Sequence, residues 1–463
     1  MEKLEKRYGL PTAICMVVGT VIGSGLFFKA QNVLTATGGN MPLGILAWVI
    51  TGFLMIVCAL QFASMANKYE NVSGVIDYAE STCGKSYAYY LAWFLANIYY
   101  PGMTSVLAWV SARYFGVLFG WDLTGPEVLM LSGFFLILSY SMNALSPKLA
   151  GKIQISATII KLIPIVLMAI VGTLVGTING TLTTNFTTIV SEVSGGNGAG
   201  LFAAIVATVF AYEGWIVATS INAELKNAKK NLPIALIIGS LIVVIAYVMY
   251  YIGVAGGATN QVLITEGATT AFSNIFGEIG GTLLNICIVI SCLGTLNGLM
   301  VATTRSMYSI ACRNEGPKPE MFKQIDKNTN MVTNSSIWGL LTCGIWLAYF
   351  YGANLTSTGW FGYFNFDSSE LPIITIYALY IPMFIAWMVK EKSLGFVKRF
   401  LIPSGAIFSC LVMVFSAVYA HGITPYLKAK EGGTFSFPVL FYVIVFAAIM
   451  LAGAILKNPK KKK

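Results

Sequence analysis

Three short stretches put chemistry-bearing groups deep inside apolar segments of this 463-residue chain. The run Gly19-Thr-Val-Ile-Gly-Ser-Gly25 holds three glycines and two hydroxyls in seven residues. Lys161 stands alone within Ala-Thr-Ile-Ile-Lys-Leu-Ile-Pro, and Glu213 precedes Gly214 in Phe210-Ala-Tyr-Glu-Gly-Trp215. Each glycine costs a helix about 1 kcal/mol relative to alanine. The first run therefore fits a helix that opens and bares its N–H and C=O groups, or glycines that let helices pack closely. A buried ammonium needs carbonyls, hydroxyls or a carboxylate, so Lys161 reads as a tether, a fixed charge or a proton carrier. A carboxylate such as Glu213 costs about 2.5–3.5 kcal/mol at the centre of a membrane helix and faces protein or water. It is either hydrogen-bonded away from a cavity or presented to one.

Other chemistries have little material. The single histidine, His421, falls at the end of an apolar segment. The eight cysteines (15, 58, 83, 287, 292, 312, 343 and 410) show neither disulfide-framework nor metal spacing. No nucleophile–base pair stands out, so we expect no enzyme, no cofactor and no metal site. The net charge of +10 does not suggest nucleic acid, because the basic residues sit in short loops and in a Lys460–Lys463 tail.

The elements that must position these groups are membrane helices. The chain is 56% hydrophobic and only 10% charged, against about 25% charged in soluble proteins. Its mean hydropathy is +0.74. At about 20 apolar residues per crossing, twelve spans are expected, at 9–33, 41–66, 86–119, 126–145, 153–177, 199–222, 232–257, 278–312, 333–352, 371–389, 399–421 and 437–457. The third and eighth are long and should tilt or extend beyond the bilayer. No cleavable leader is expected, since the first apolar stretch is too long and lacks a small-residue cleavage site.

With the N-terminus inside, 23 of the 29 basic residues fall on the cytoplasmic side, and the outer loops hold only Lys428 and Lys430. The expected topology places both termini in the cytoplasm. Arg113 and Arg305 read as snorkelling anchors near span ends. Lys161 lies about 12 Å along its helix from the inner end at about 1.5 Å per residue. Pro164 lacks an N–H and loosens the turn before it, freeing a carbonyl near Lys161.

The two interrupted spans are the first and the sixth, entered from opposite sides. That spacing is the signature of two five-helix repeats of inverted topology with a site between their first helices. We expect a ten-helix core over residues 1–398, with repeats at about 9–177 and 199–389. Residues 399–463 would add two helices and a basic tail.

The glycine run followed by Leu-Phe-Phe, the Phe210–Trp215 stretch and Lys161 together resemble the amino acid–polyamine–organocation superfamily. The resemblance is closest to its L-type amino acid transporter branch and to bacterial serine/threonine and alanine/serine/cysteine exchangers, and it covers essentially the whole chain. It implies an all-α LeuT-like fold and sodium-independent exchange of small to medium neutral L-amino acids, in the cell membrane. Proton-coupled symport is the alternative, and a non-transporting sensor is the reading from another class. By similarity, the substrate carboxylate would meet the N–H groups and hydroxyl around Gly23, Ser24 and Gly25. The α-ammonium would meet carbonyls of Val21, Phe210, Ala211 and Glu213, with Phe210 as a gate ring. Lys161 would stand where sodium-driven relatives hold a sodium ion, reaching the Gly19 backbone and Ser291. Segment 120–126 lacks the cysteine with which animal relatives bond a heavy chain, so no disulfide-linked partner is implied.

Overall fold

A computed structural model describes residues 9–69, 74–145, 156–157, 159–193, 196–215, 225–326 and 331–457. These are mostly helical with no strand among them. Among the described residues, seven helices are individually long and apolar enough to cross a membrane. The bent pair Leu162–Ile178 and Thr181–Thr187, at 89°, makes an eighth if counted as one span.

The chain divides into two compact units. One comprises 1–85, 162–284 and 373–420; the other comprises 86–161, 285–372 and 421–463. Each unit draws on both of the expected repeats.

The first unit contains α1 (Leu10–Val21), α2 (Ser24–Ala36), α3 (Met41–Lys68), α4 (Leu162–Ile178) and α5 (Gly196–Tyr212). It also contains α6 (Ala228–Gly257), most of α7 (Leu371–Lys390) and α8 (Ile402–Val418). Helix α3 shows why these segments begin where they do. The Asn40 side chain accepts from the Leu43 N–H at 3.1 Å, and a proline occupies the first turn, where its missing N–H costs nothing. Helix α6 is the hub, packing on α1, α3 and α4. Small residues permit this. A Cβ on Gly239 would lie 2.7 Å from Val17 of α1, and Cβ atoms on Gly253 and Gly256 would collide with the Met168 and Gly172 carbonyls of α4. Backbones meet at such places, as in small-xxx-small contacts. Between α3, α5 and α6, the rings of Trp48, Tyr212 and Tyr247 meet edge-on or tilted with centroids 5.1–5.6 Å apart.

At the ends of α3 and α7 the first unit is tied by charge. Lys68 Nζ lies 3.0 Å from Glu391 Oε2, and the Tyr69 hydroxyl donates to Glu391 Oε1 at 2.7 Å. Burial works against the Glu391 anion, but these donors outweigh it and hold the carboxyl below its ordinary range.

In the second unit the Tyr100–Val117 helix packs on Pro126–Leu145 and on Thr333–Phe350. Buried polar pairs join its helices: Thr104 with Thr303 at 2.8 Å, and Asn143 Nδ2 donating to Asn297 Oδ1 at 2.8 Å. The Tyr89 hydroxyl and the Trp93 indole donate to carbonyls of the Pro438–Leu456 helix, at 2.7 and 2.9 Å. His421 has a partner: its Nε2 lies 2.9 Å from Glu370 Oε2. Arg113 holds its guanidinium 5.6 Å from the Trp109 ring centroid, and Arg305 is exposed.

Candidate functional site

The chain leaves helix between α1 and α2. Ile22 (φ −65°, ψ 106°) and Gly23 (φ −142°, ψ −155°) are extended. The opening is narrower than the glycine run, because Gly19–Val21 stay in α1 while Ser24 and Gly25 start α2. A helix bears one glycine near its end at about 1 kcal/mol. Its first N–H groups and last carbonyls lack intrahelical partners. Gly23 supplies no side-chain cap to α2, so those amides gather at the dipole-positive end of a helix, a setting suited to a carboxylate. The Ser24 side chain lies outside the described residues.

Helix α5 ends beside this opening. Its last helical residue is Tyr212, Glu213 and Gly214 form a turn, and Gly214 takes φ +109°, a conformation that favours glycine. The rest of the expected sixth span, residues 216–222, lies outside the described residues. Gly25 is where the two interruptions meet. A Cβ there would sit 2.7 Å from the Ala211 Cα and 3.3 Å from both the ring and the carbonyl oxygen of Phe210. Any larger residue at position 25 would push α2 off α5.

The Tyr247 hydroxyl of α6 lies 2.9 Å from the Val21 carbonyl oxygen and 3.0 Å from the Ala211 carbonyl oxygen. It donates its single proton to this pair of acceptors and so joins the end of α1 to the end of α5. Two further aromatic donors fix the helix ends. The Tyr212 hydroxyl donates to the Trp48 carbonyl at 3.0 Å, and the Trp215 indole donates to the Tyr377 hydroxyl at 3.3 Å. The Tyr377 hydroxyl in turn lies 3.4 Å from Glu213 Oε2. Phe210 is buried and meets Phe28 edge-on with centroids 6.1 Å apart. The Lys29 ammonium sits 4.9 Å from the Phe210 centroid and 5.0 Å from that of Phe28.

The first unit thus brings together Val21, Gly23, Gly25, Phe210 and Ala211, with Glu213 one turn further along. Gly19 is half-buried in α1. Lys161 and Ser291 belong to the second unit, where the Lys161 side chain is buried and the Ser291 hydroxyl is buried with no hydrogen-bond partner among the described residues. Sequence reasoning missed Tyr247 and Lys29. Nothing in the sequence marks one tyrosine among several in an apolar span. Lys29 did carry a signal, a cation four residues past Gly25 inside the first apolar segment.

An all-helical chain with several helices apolar enough to cross a membrane has the build of a polytopic membrane protein. The amino acid permease family model matches residues 8–453, and the chain belongs to that family. It is therefore a multi-pass membrane protein. Among similar proteins is the serine/threonine exchanger SteT of Bacillus subtilis (strain 168), 29% identical over 406 residues, 86% of this chain and 87% of that protein. The b(0,+)-type amino acid transporter 1 of Oryctolagus cuniculus is 26% identical over 308 residues, 66% of this chain and 62% of that protein. Among solved structures, MhsT in complex with L-phenylalanine matches with a TM-score of 0.54 at 14% identity, over 91% of this chain and 100% of that one. That match shows a common LeuT-type fold.

Proposed function

We propose that this protein exchanges small to medium neutral L-amino acids across the cell membrane by alternating access, without sodium and without a disulfide-linked heavy chain. The observation that carries the reading is the meeting of two helix ends at Gly25 and Ala211. The start of α2, without a side-chain cap at Gly23, adjoins the end of α5, and Tyr247 joins the Val21 and Ala211 carbonyls that end α1 and α5. Such a pair of ends suits a zwitterion, with the carboxylate at the amides of Gly23–Gly25 and the ammonium at the carbonyls of Val21, Phe210, Ala211 and Glu213. The tight approach at Gly25 and the Phe210 and Phe28 rings favour a short side chain. The exchangers and amino acid transporters among the relatives support the same substrate class.

Sodium independence rests on Lys161, whose buried ammonium would stand in for a metal ion. Twelve crossings, with both termini cytoplasmic, are part of the proposal and follow from the distribution of lysine and arginine. The test is uptake of labelled alanine, serine or threonine into proteoliposomes with and without internal amino acid, in sodium-free buffer. Internal amino acid is expected to accelerate uptake severalfold. Uptake that is indifferent to internal amino acid, or that requires sodium, would overturn the reading.

A further inference from the structure

We infer that Asn260 and Gln31 are positioning residues for the transport site proposed above, on which the inference rests. They tie α2 to the Asn260–Glu266 helix, so that the first-turn amides of α2 keep their place for a substrate carboxylate. Helix α2 has 13 residues and spans about 20 Å at about 1.5 Å per residue. At its start it joins α1 only through Ile22 and Gly23, which are extended, so no continuous helix fixes it there. Its contact with α5 at Gly25 and the hold on its far end must set where that first turn lies.

Side chains supply the hold. Gln31, midway along α2, donates its Nε2 to the Ile264 carbonyl at 2.8 Å. Beyond Ala36 the chain turns into α3, and Asn260 Nδ2 donates to the Gly39 carbonyl of that turn at 2.7 Å. The same Nδ2 donates to the Asn185 carbonyl at 2.8 Å, and the Asn260 N–H donates to Asn185 Oδ1 at 2.9 Å. Asn185 passes the hold to the end of α6, donating its Nδ2 to the Ala255 and Ala258 carbonyls at 2.7 and 2.9 Å. Both asparagines are 2% exposed. Removing a buried amide that serves two carbonyls leaves both acceptors bare. Helix α6 is also the one whose Tyr247 joins the ends of α1 and α5. One helix therefore references both sides of the break, through Tyr247 on one side and through Asn185 and Asn260 on the other. Binding groups must stay within about 0.5 Å of their productive geometry, and a helix carries a shift at one end to the other.

The test is alanine exchange by the full-length protein in proteoliposomes, with half-saturation and maximum rate each measured per folded carrier. Asn260→Ala should raise the half-saturation concentration at least fivefold and change the maximum rate less than twofold. Gln31→Leu should shift half-saturation in the same direction. Asn274→Ala is the control: Asn274 Nδ2 donates to the Gly257 carbonyl at 2.9 Å, a bond of the same kind that does not involve α2. It should leave half-saturation within twofold of wild type. Side chains that serve stability alone would, when replaced, lower the thermal midpoint and leave half-saturation unchanged, and that result would overturn the inference. So would a shift in Asn274→Ala as large as that in Asn260→Ala. If Asn260→Ala does not insert, Gln31→Leu decides between the same outcomes. Absence of alanine exchange in the wild type would sink the transport reading and this inference with it, whereas exchange with unchanged half-saturation in the variants would sink only the inference.

Discussion

Tyr247 places one hydroxyl between two carbonyls that belong to different interrupted helices. A hydrogen bond of this kind contributes about 0.5–1.5 kcal/mol net, and more when its loss leaves a buried acceptor bare. Tyr247→Phe should therefore lower exchange about tenfold while leaving membrane insertion intact, as read by proteoliposome counterflow against protein incorporated. Lys161→Ala should all but abolish transport with the protein still inserted, because the proposed stand-in for a metal ion would be gone. Wild-type rates in that variant would refute its role. Gly25 stood out beforehand because glycine is conspicuous in an apolar run, whereas Phe210 and Ala211 came from the family resemblance alone. Tyr247 did not stand out, since its role depends on which face of α6 meets the break, and that is a matter of packing. Lys29 was legible in principle, as a charge where charge is expensive, but the run beside it drew the reading to the backbone.

At the scale of elements, the break between α1 and α2 follows from local propensity, while its width does not. Gly19 remains helical because α1 continues past it to Val21, so only Ile22 and Gly23 are extended. The contact of α6 with α4 could not be read from sequence at all. Gly172, Gly176, Gly253 and Gly256 are scattered among many glycines, and only the fold shows that they face one another. Gly253→Ala would drive a methyl group into the Met168 carbonyl, a backbone atom that cannot rotate away. Overpacking costs about 1–3 kcal/mol, so the thermal midpoint in detergent should fall measurably, whereas an alanine at Gly133, which has open space around it, should change little.

The clamp between α3 and α7 predicts a pH effect with a definite sign. The Glu391 carboxyl is held below its ordinary range, so its contribution is complete above about pH 4.5. It is lost as the pH falls through the lowered folded value. Glu391→Gln should flatten the acid limb of the stability curve and leave its shape near neutrality unchanged. An acid limb identical to wild type would remove the clamp from the account.

For the whole molecule, hydrophobicity made the membrane class and the helical fold legible, since bilayer thickness dictates apolar length. The division into units was not legible. The two compact units each gather segments from distant parts of the chain, a grouping that depends on packing rather than on sequence order. The central claim is that main-chain groups at two helix ends hold both charges of a free amino acid. The most direct measurement is competition against labelled alanine exchange by alanine, N-acetylalanine and alanine methyl ester in proteoliposomes. The account predicts that alanine competes while both blocked forms fail by at least tenfold. Equal competition by either blocked form would contradict it.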